Sequence, residues 1–279
     1  VKVSIILASY DSGHYHGGWG QGPDALISGG LADALRLAGH EVDVHDIGKV
    51  VEDEQEREIG TGFAVCNAVS GEVRIALDNG RFPIVLAGNC LTSAGAVAGE
   101  GADAIIWADQ HGDLNTPDTS TSGLLDGMAL ATVLGLCWRR LAMQIPGFKP
   151  IDPARCVLVD ARDLDPAEKE LLDRQPILRT ECPGWAGVAE TLNAAGDERV
   201  HMHLDLDVHD PEELQANHYS TPGGPAPEQV RSAICGLAGR LSIAGLTISA
   251  YDPAFDAKGE VPPLVGGLLV DLLATLEKR

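Results

Sequence analysis

A three-layer αβα domain built on a mainly parallel sheet is the fold class that this sequence predicts, and three observations predict it. Apolar strand-like runs alternate with helix-period segments along the whole chain, with no hairpin signal between consecutive strands. Such alternation implies parallel strands joined by helices that cover both sheet faces, with function gathered at the carboxyl ends of the strands. The 279 residues are 44% hydrophobic and 22% charged, enough for one large core, and no block changes composition to mark a linker. No internal repeat or low-complexity tract appears, so residues 1–279 read as a single domain.

Residues 1–9 (VKVSIILAS) alternate into a first strand. They are too short, and too quickly followed by Asp11 and Gly13, for a signal peptide or a membrane span, and a cytoplasmic location is expected. Residues 10–21 form a loop rich in Gly, His and aromatic residues. Gly22-Pro23-Asp24 then opens a helix with proline near its first turn and Leu26, Ile27, Leu31, Leu35 and Leu37 as its apolar positions. A second strand over 41–47, a helix over 63–77, a buried strand over 82–87, a short helix over 93–99 and a buried strand over 104–108 follow. The alternation continues through a strand at 156–160, a helix after Asp165-Pro166, a strand ending at Asp207, a helix from Ala226, a strand over 246–251 and a last helix from Leu264.

The chemistry concentrates in two stretches. Residues 107–127 read WADQHGDLNTPDTSTSGLLDG, in which Asp109, His111 and Asp113 fall at alternate positions directly after a buried strand. An extended backbone points all three the same way and makes a site for a divalent cation; the bland alternative is a solvated acidic loop. Residues 200–211 read VHMHLDLDVHDP, with Asp205 and Asp207 opposite an apolar face of Val200, Met202, Leu204, Leu206 and Val208. Carboxylates are rarely buried unless paired or bound to metal, so four aspartates and a histidine at neighbouring strand ends call for two divalent cations with bridging carboxylates. His201 and His203 share the parity of the aspartates but lie further down the strand, where packing or hydrogen bonding to a ligand is the better reading. His209 sits where Asp210-Pro211 turns the chain and is not placed among the ligands.

Six cysteines without CxxC spacing imply reduced core residues and no disulfide framework. A net charge of −21 argues against nucleic acid or an anionic membrane as partner and allows steering of a cationic substrate, although it serves solubility equally well.

DxHxD followed by DxD and DP resembles the arginase, agmatinase and formiminoglutamase (ureohydrolase) superfamily of manganese enzymes. Further stretches carry the resemblance in the same order: GWGQGP at 18–23, NTPDTSTSG at 115–123, RDLDP at 162–166 and TPGG at 221–224. It covers essentially the whole chain and implies an arginase/deacetylase-like fold. It further implies two Mn2+ ions, the first held by Cys90, Asp109, Asp113 and Asp205 and the second by His111, Asp109, Asp205 and Asp207, with Asp109 and Asp205 bridging. Two such ions about 3.5–4 Å apart share a water and lower its pKa toward roughly 7, so that metal-bound hydroxide attacks a guanidino carbon. Asp113 would pass the proton to the leaving nitrogen, and Asn115, Ser122 and Asp165 would bind the far, amino-acid end of a small cationic substrate. A homo-oligomer is left open.

Departures from the family pattern bear on the reacting end. Ala87-Gly88-Asn89-Cys90-Leu91 puts Cys90 where the family has its first metal-binding histidine, which resembles the branch acting on hydroxyguanidine-type substrates. A thiolate there draws the first site toward other divalent metals such as zinc, iron or cobalt; a neutral buried thiol beside a weakened site is the alternative. Asp126 stands in place of a family histidine, either pairing with a cationic substrate group or capping a helix. Ala250 stands in place of a glutamate that grips the guanidinium. Three readings follow: an amidinohydrolase, a metal-binding pseudoenzyme of the same fold, or a single-zinc deacetylase-like amidohydrolase. The absence of an HH pair disfavours the last.

Overall fold

The computed structural model describes residues 1–52, 58–195 and 199–279. Strands appear in the order β1 (Lys2–Ala8), β2 (Tyr10–Asp11), β3 (His14–Tyr15), β4 (Glu41–Asp46), β5 (Phe82–Ala87) and β6 (Ala104–Ala108). They continue as β7 (Cys156–Val159), β8 (Leu178–Thr180), β9 (Val200–Asp205) and β10 (Ile243–Ser249). Eight of them form one sheet in the order β4-β1-β5-β10-β9-β6-β7-β8, every neighbouring pair parallel. Helices α1 (Gly22–Ser28), α2 (Leu31–Leu37), α3 (Glu58–Asp78), α4 (Ser93–Glu100), α5 (Ala129–Val133) and α6 (Arg139–Ala142) come first. Then follow α7 (Pro166–Leu172), α8 (Ala186–Ala195), α9 (Pro227–Ala238) and α10 (Val261–Glu277).

Both faces of the sheet are covered, and the side chains of each strand divide between them. In β6, Ala104, Ile106 and Ala108 pack into the cluster that takes in Leu31, Leu35, Ile234 and Leu269 from α2, α9 and α10. Ile105 and Trp107 point the other way, into the cluster with Ala94 and Val97 of α4 and Leu130 of α5. Period 2 along the strand combined with apolar cover on both sides is why β6 reads AIIWA with every residue buried. The three-layer parallel architecture expected from the sequence is therefore the one observed.

Several details differ. The helix opened at Gly22 is two helices, because Gly29-Gly30 interrupts it and Gly30 sits at φ 94°, a conformation that glycine tolerates without a Cβ clash. Residues 10–15, expected as loop, form a small antiparallel hairpin whose two-residue turn is Ser12-Gly13 at φ 47° and 90°. β9 stops at Asp205 and 206–208 coil into a single 3-10 turn, so Asp207 is not on the strand. α3 starts earlier than the periodicity marked, and β8, α5, α6 and α8 are additional elements, all short. All six cysteines are free thiols, and among the described residues no helix is long and apolar enough to cross a membrane.

Candidate metal centre

The carboxyl ends of β5, β6 and β9 meet at the middle of the sheet, and the loops that leave them carry the acidic and sulfur side chains. The loop after β5 can reach this point because Gly88 has no Cβ: one would collide with the backbone oxygen of Tyr10. Cys90 then begins the turn that leads into α4, and its Sγ donates to Asp205 Oδ2 at 3.0 Å. Asp109 follows β6 and is fully buried, its Oδ1 accepting from the His111 backbone N–H (2.7 Å) and its Oδ2 from Trp107 Nε1 (3.1 Å). Asp205 closes β9, and its Oδ1 accepts from the Asp207 backbone N–H at 2.7 Å.

Two groups of potential metal ligands result. Cys90, Asp109, His203 and Asp205 each offer a donor atom within 4.8 Å of the others, and Asp109, His111 and Asp207 form a second group of the same closeness. His111 Nδ1 lies 3.3 Å from Asp109 Oδ1 and 3.5 Å from Asp207 Oδ2. Asp109 belongs to both groups, whereas Asp205 belongs to the first alone, so only one of the two expected bridging carboxylates is shared in this geometry.

Asp113 stands in neither of these groups: the extended path from β6 persists to His111, which forms a β-bridge with Asp163, and Asp113 turns into the left-handed region at φ 51°. Strict alternation of side chains requires an extended backbone, and it ends there. Asp113 Oδ2 is nevertheless buried without a hydrogen-bond partner, as are Asp207 Oδ1 and His203 Nε2. Buried polar atoms are normally satisfied, so three orphans around one point fit divalent cations at this centre.

The electrostatics lead to the same fit. Burial pushes Asp113 and Asp205 well above the ordinary carboxylate range, and the surrounding carboxylates add to it. Asp207 rises to about 6 through burial and the charge of Asp109. The Cys90 thiol also stands well above its usual value, through burial and then the charges of Asp126 and Asp205. His111 is driven by burial toward the neutral form, but Asp109 and Asp207 outweigh this and hold it at about 9. One imidazolium cannot neutralise so many crowded acids, and among the described residues none of the side chains lining the cleft above them is Lys or Arg.

That cleft, of about 270 Å³, brings the remaining site residues together. Cys90, His111, Asp113, Asp205 and Asp207 form its floor, and Asn115, Ser122, Asp126 and Asp165 line its wall. Asn115 Nδ2 donates to Asp165 Oδ2 (2.9 Å) while its Oδ1 accepts from Thr119 Oγ1 (3.0 Å); Ser122 is exposed. Asp126 does not cap the helical turn that it opens. The residue capping its 3-10 turn is Leu125, and the Asp126 carboxylate is bound back to the Cys90 loop, Oδ1 accepting from Leu91 N–H (3.0 Å) and Oδ2 from Asn89 Nδ2 (3.2 Å). Burial raises Asp126 to about 7. Ala250 is 1% exposed and does not line the cleft. Arg162 turns away from it and donates to the backbone carbonyls of Val208 (3.0 Å) and Thr221 (2.8 Å), tying down the loop after β9.

Comparison with known proteins assigns the family. The Arginase family model matches residues 1–274. This chain belongs to the arginase family. An arginase of Bacillus caldovelox is 30% identical over 97% of this chain and 97% of its own length. The crystal structure of arginase from Bacillus cereus superposes with a TM-score of 0.84 at 27% identity, covering 98% of both chains. A proclavaminate amidino hydrolase from Streptomyces clavuligerus, at 20% identity and a TM-score of 0.72 over 99% of this chain and 91% of its own, shares the fold.

Sequence reasoning passed over several residues of the centre. His203 joins a ligand group although its depth in β9 argued for packing; its parity with Asp205 was the available signal. Gln110 was not singled out, yet it is fully buried. Its Oε1 accepts from Thr221 N–H and Oγ1 (2.8 and 2.9 Å), and its Nε2 donates to the Tyr219 carbonyl (2.8 Å). Asn217 Nδ2 joins the Ala250 carbonyl (2.9 Å) to Asp207 Oδ2 (3.3 Å). Both act between segments far apart in sequence, which leaves no local pattern to read.

Proposed function

We propose that this chain is a dinuclear, manganese-dependent amidinohydrolase that cleaves a guanidino carbon–nitrogen bond of an amino-acid-like substrate, with an N-hydroxyguanidine preferred over plain arginine. The observation that carries the reading is the pair of donor groups sharing Asp109 beneath a cleft that, among the described residues, has no Lys or Arg in its lining. Divalent cations held there supply an acidified water and a Lewis acid at neutral pH. The mostly hard carboxylate donors favour manganese, while Cys90 pulls its own group toward softer metals.

The chain's own residues do the rest. Asp109 joins the two groups, His111 and Asp207 complete the open one, and Cys90 with Asp205 forms the deep one. Asp113 faces the same cleft with Oδ2 unpartnered, and burial beside Asp109 raises its affinity for a proton, which suits the catalytic task of protonating the leaving nitrogen. Asn115, Ser122 and Asp165 take the amino-acid end, and Asp126 acts by holding the Cys90 loop. Family membership supports the guanidino class, and six free thiols suit a reducing compartment such as the cytoplasm.

The preference for an N-oxy substrate rests on Ala250. An electron-withdrawing N-hydroxy group lowers the basicity of a guanidine, so loss of an anchoring carboxylate costs it less than it costs a fully cationic guanidinium, for which one charged hydrogen bond contributes about 1.5–3 kcal/mol. Hydrolysis adds one water across the bond, leaving an amine and N-hydroxyurea. The test is kcat/KM for arginine, agmatine and N-hydroxyarginine on manganese-loaded protein, read by urea or hydroxyurea release. N-hydroxyarginine should be the best of the three. Arginine as the best substrate would refute the preference, and metal binding without turnover of any guanidine would make the chain a binding module.

A further inference from the structure

We infer that His203 supplies, through Nε2, a nitrogen ligand to the deep metal position, completing with Cys90, Asp109 and Asp205 a closed thiolate–imidazole–dicarboxylate site for a tetrahedral ion such as Zn2+ or Co2+. The inference rests on the reading of the cleft as a metal centre and adds to it a ligand and a metal class.

Four observations on His203 converge. Its Nε2 is buried without a hydrogen-bond partner, and one of its ring nitrogens stands in the group of donor atoms within 4.8 Å of one another. Ligand atoms around a tetrahedral ion with bonds of roughly 2.0–2.3 Å stand about 3.3–3.8 Å apart, a spacing inside that limit. The other nitrogen, Nδ1, lies 2.8 Å from Ser93 Oγ, and donation to this hydroxyl leaves the lone pair on Nε2, as a metal ligand requires. The ring is held in place by stacking on Trp107 at a centroid distance of 3.6 Å, and Trp107 Nε1 in turn holds Asp109 Oδ2. Register decides the meeting, since Trp107 and His203 are directly paired across β6 and β9.

The two groups then differ in kind. All four donors of the deep group are buried and include sulfur and nitrogen, the composition of a closed zinc-type site. The upper group has three donors and a partly exposed His111 facing the cleft, which leaves positions open for water and substrate. The centre is accordingly a mixed pair, with a borderline metal below and a hard metal above.

Cobalt titration of the full chain tests this. The wild-type protein should show a thiolate-to-cobalt band in the near ultraviolet, lost in Cys90→Ser, together with the intense visible bands of tetrahedral Co2+. His203→Gln should weaken binding at this position by more than about tenfold, the scale on which even hydrogen-bond partners of ligands act, and should dim the visible bands. Cadmium-113 NMR of wild-type protein with 15N-histidine, which does not depend on any variant folding, should give two cadmium resonances, each coupled to one histidine nitrogen. Unchanged affinity and bands in His203→Gln, or a thiolate-bound cadmium without nitrogen coupling, would overturn the inference while leaving the metal centre standing. A wild-type protein that binds no cobalt or cadmium at all would overturn both.

Discussion

The floor and the wall of the cleft are built differently. Side chains at and directly beneath the floor follow strand ends, are almost all buried, and are held by several contacts each: Asp109 by Trp107 and His111, Asp205 by Asp207 N–H and Cys90. The wall between 116 and 124 is mostly exposed and held mostly by bonds within itself, such as Thr116 N–H to Thr119 Oγ1 (2.8 Å) and Gly123 N–H to Ser120 Oγ (2.9 Å). A donor set for metals needs positions held to a few tenths of an ångström, and rigid strand ends supply that. Discrimination among substrate tails needs side chains that can change without unsettling the core, which loops allow. The floor therefore sets the chemistry and the wall the choice of substrate.

The most severe way to break the floor is Asp109→Ala, since both donor groups share this carboxylate. Metal content should fall below one ion per chain, and guanidine hydrolysis should fall to background. Elemental analysis and product release check this, with circular dichroism to confirm the fold. Asp205→Ala sharpens the contrast within the floor. It belongs to the deep group alone in this structure, so one ion per chain should remain, and loss of both would restore Asp205 as a second bridge.

A smaller effect concerns the scaffold under the floor. Burial lowers His209 from its ordinary 6.5 to about 4, and its Nδ1 bonds to the Leu206 carbonyl at 2.9 Å. The unfolded chain takes up this proton near 6.5 but the folded chain only near 4, so the contribution is fully present above the higher value and lost as pH falls through that window. In metal-free protein the loss by pH 4 amounts to about 3 kcal/mol. Urea unfolding at a series of pH values should show it, and His209→Gln should flatten that part of the profile.

The smallest change is expected from the wall. Ser122→Ala removes one exposed hydroxyl that lines the cleft, so stability should hold within about 0.5 kcal/mol. KM for an amino-acid guanidine should rise several-fold with little change in kcat, from loss of a hydrogen bond of about 0.5–1.5 kcal/mol. A large fall in kcat with KM unchanged would place Ser122 at the reacting end and break the division between floor and wall.

By itself the sequence determined the parallel three-layer fold, since apolar runs at period 2 alternating with helix-period segments admit few other arrangements. It also pointed to Asp109, His111, Asp205 and Asp207 gathering just past two strand ends, because two-residue spacing of acidic side chains after an apolar run has few physical meanings. What parity cannot supply is depth, backbone handedness or the neighbour across the sheet. Tertiary structure alone decided that Asp113 takes a positive φ, that Asp126 is bound to the Cys90 loop, and that Asp207 sits on a turn after β9. It alone brought His203 opposite Trp107 and beneath Cys90, 113 residues away in the chain by number. Pairing register and loop packing are settled by long-range contacts in three dimensions, and a one-dimensional pattern carries no record of them.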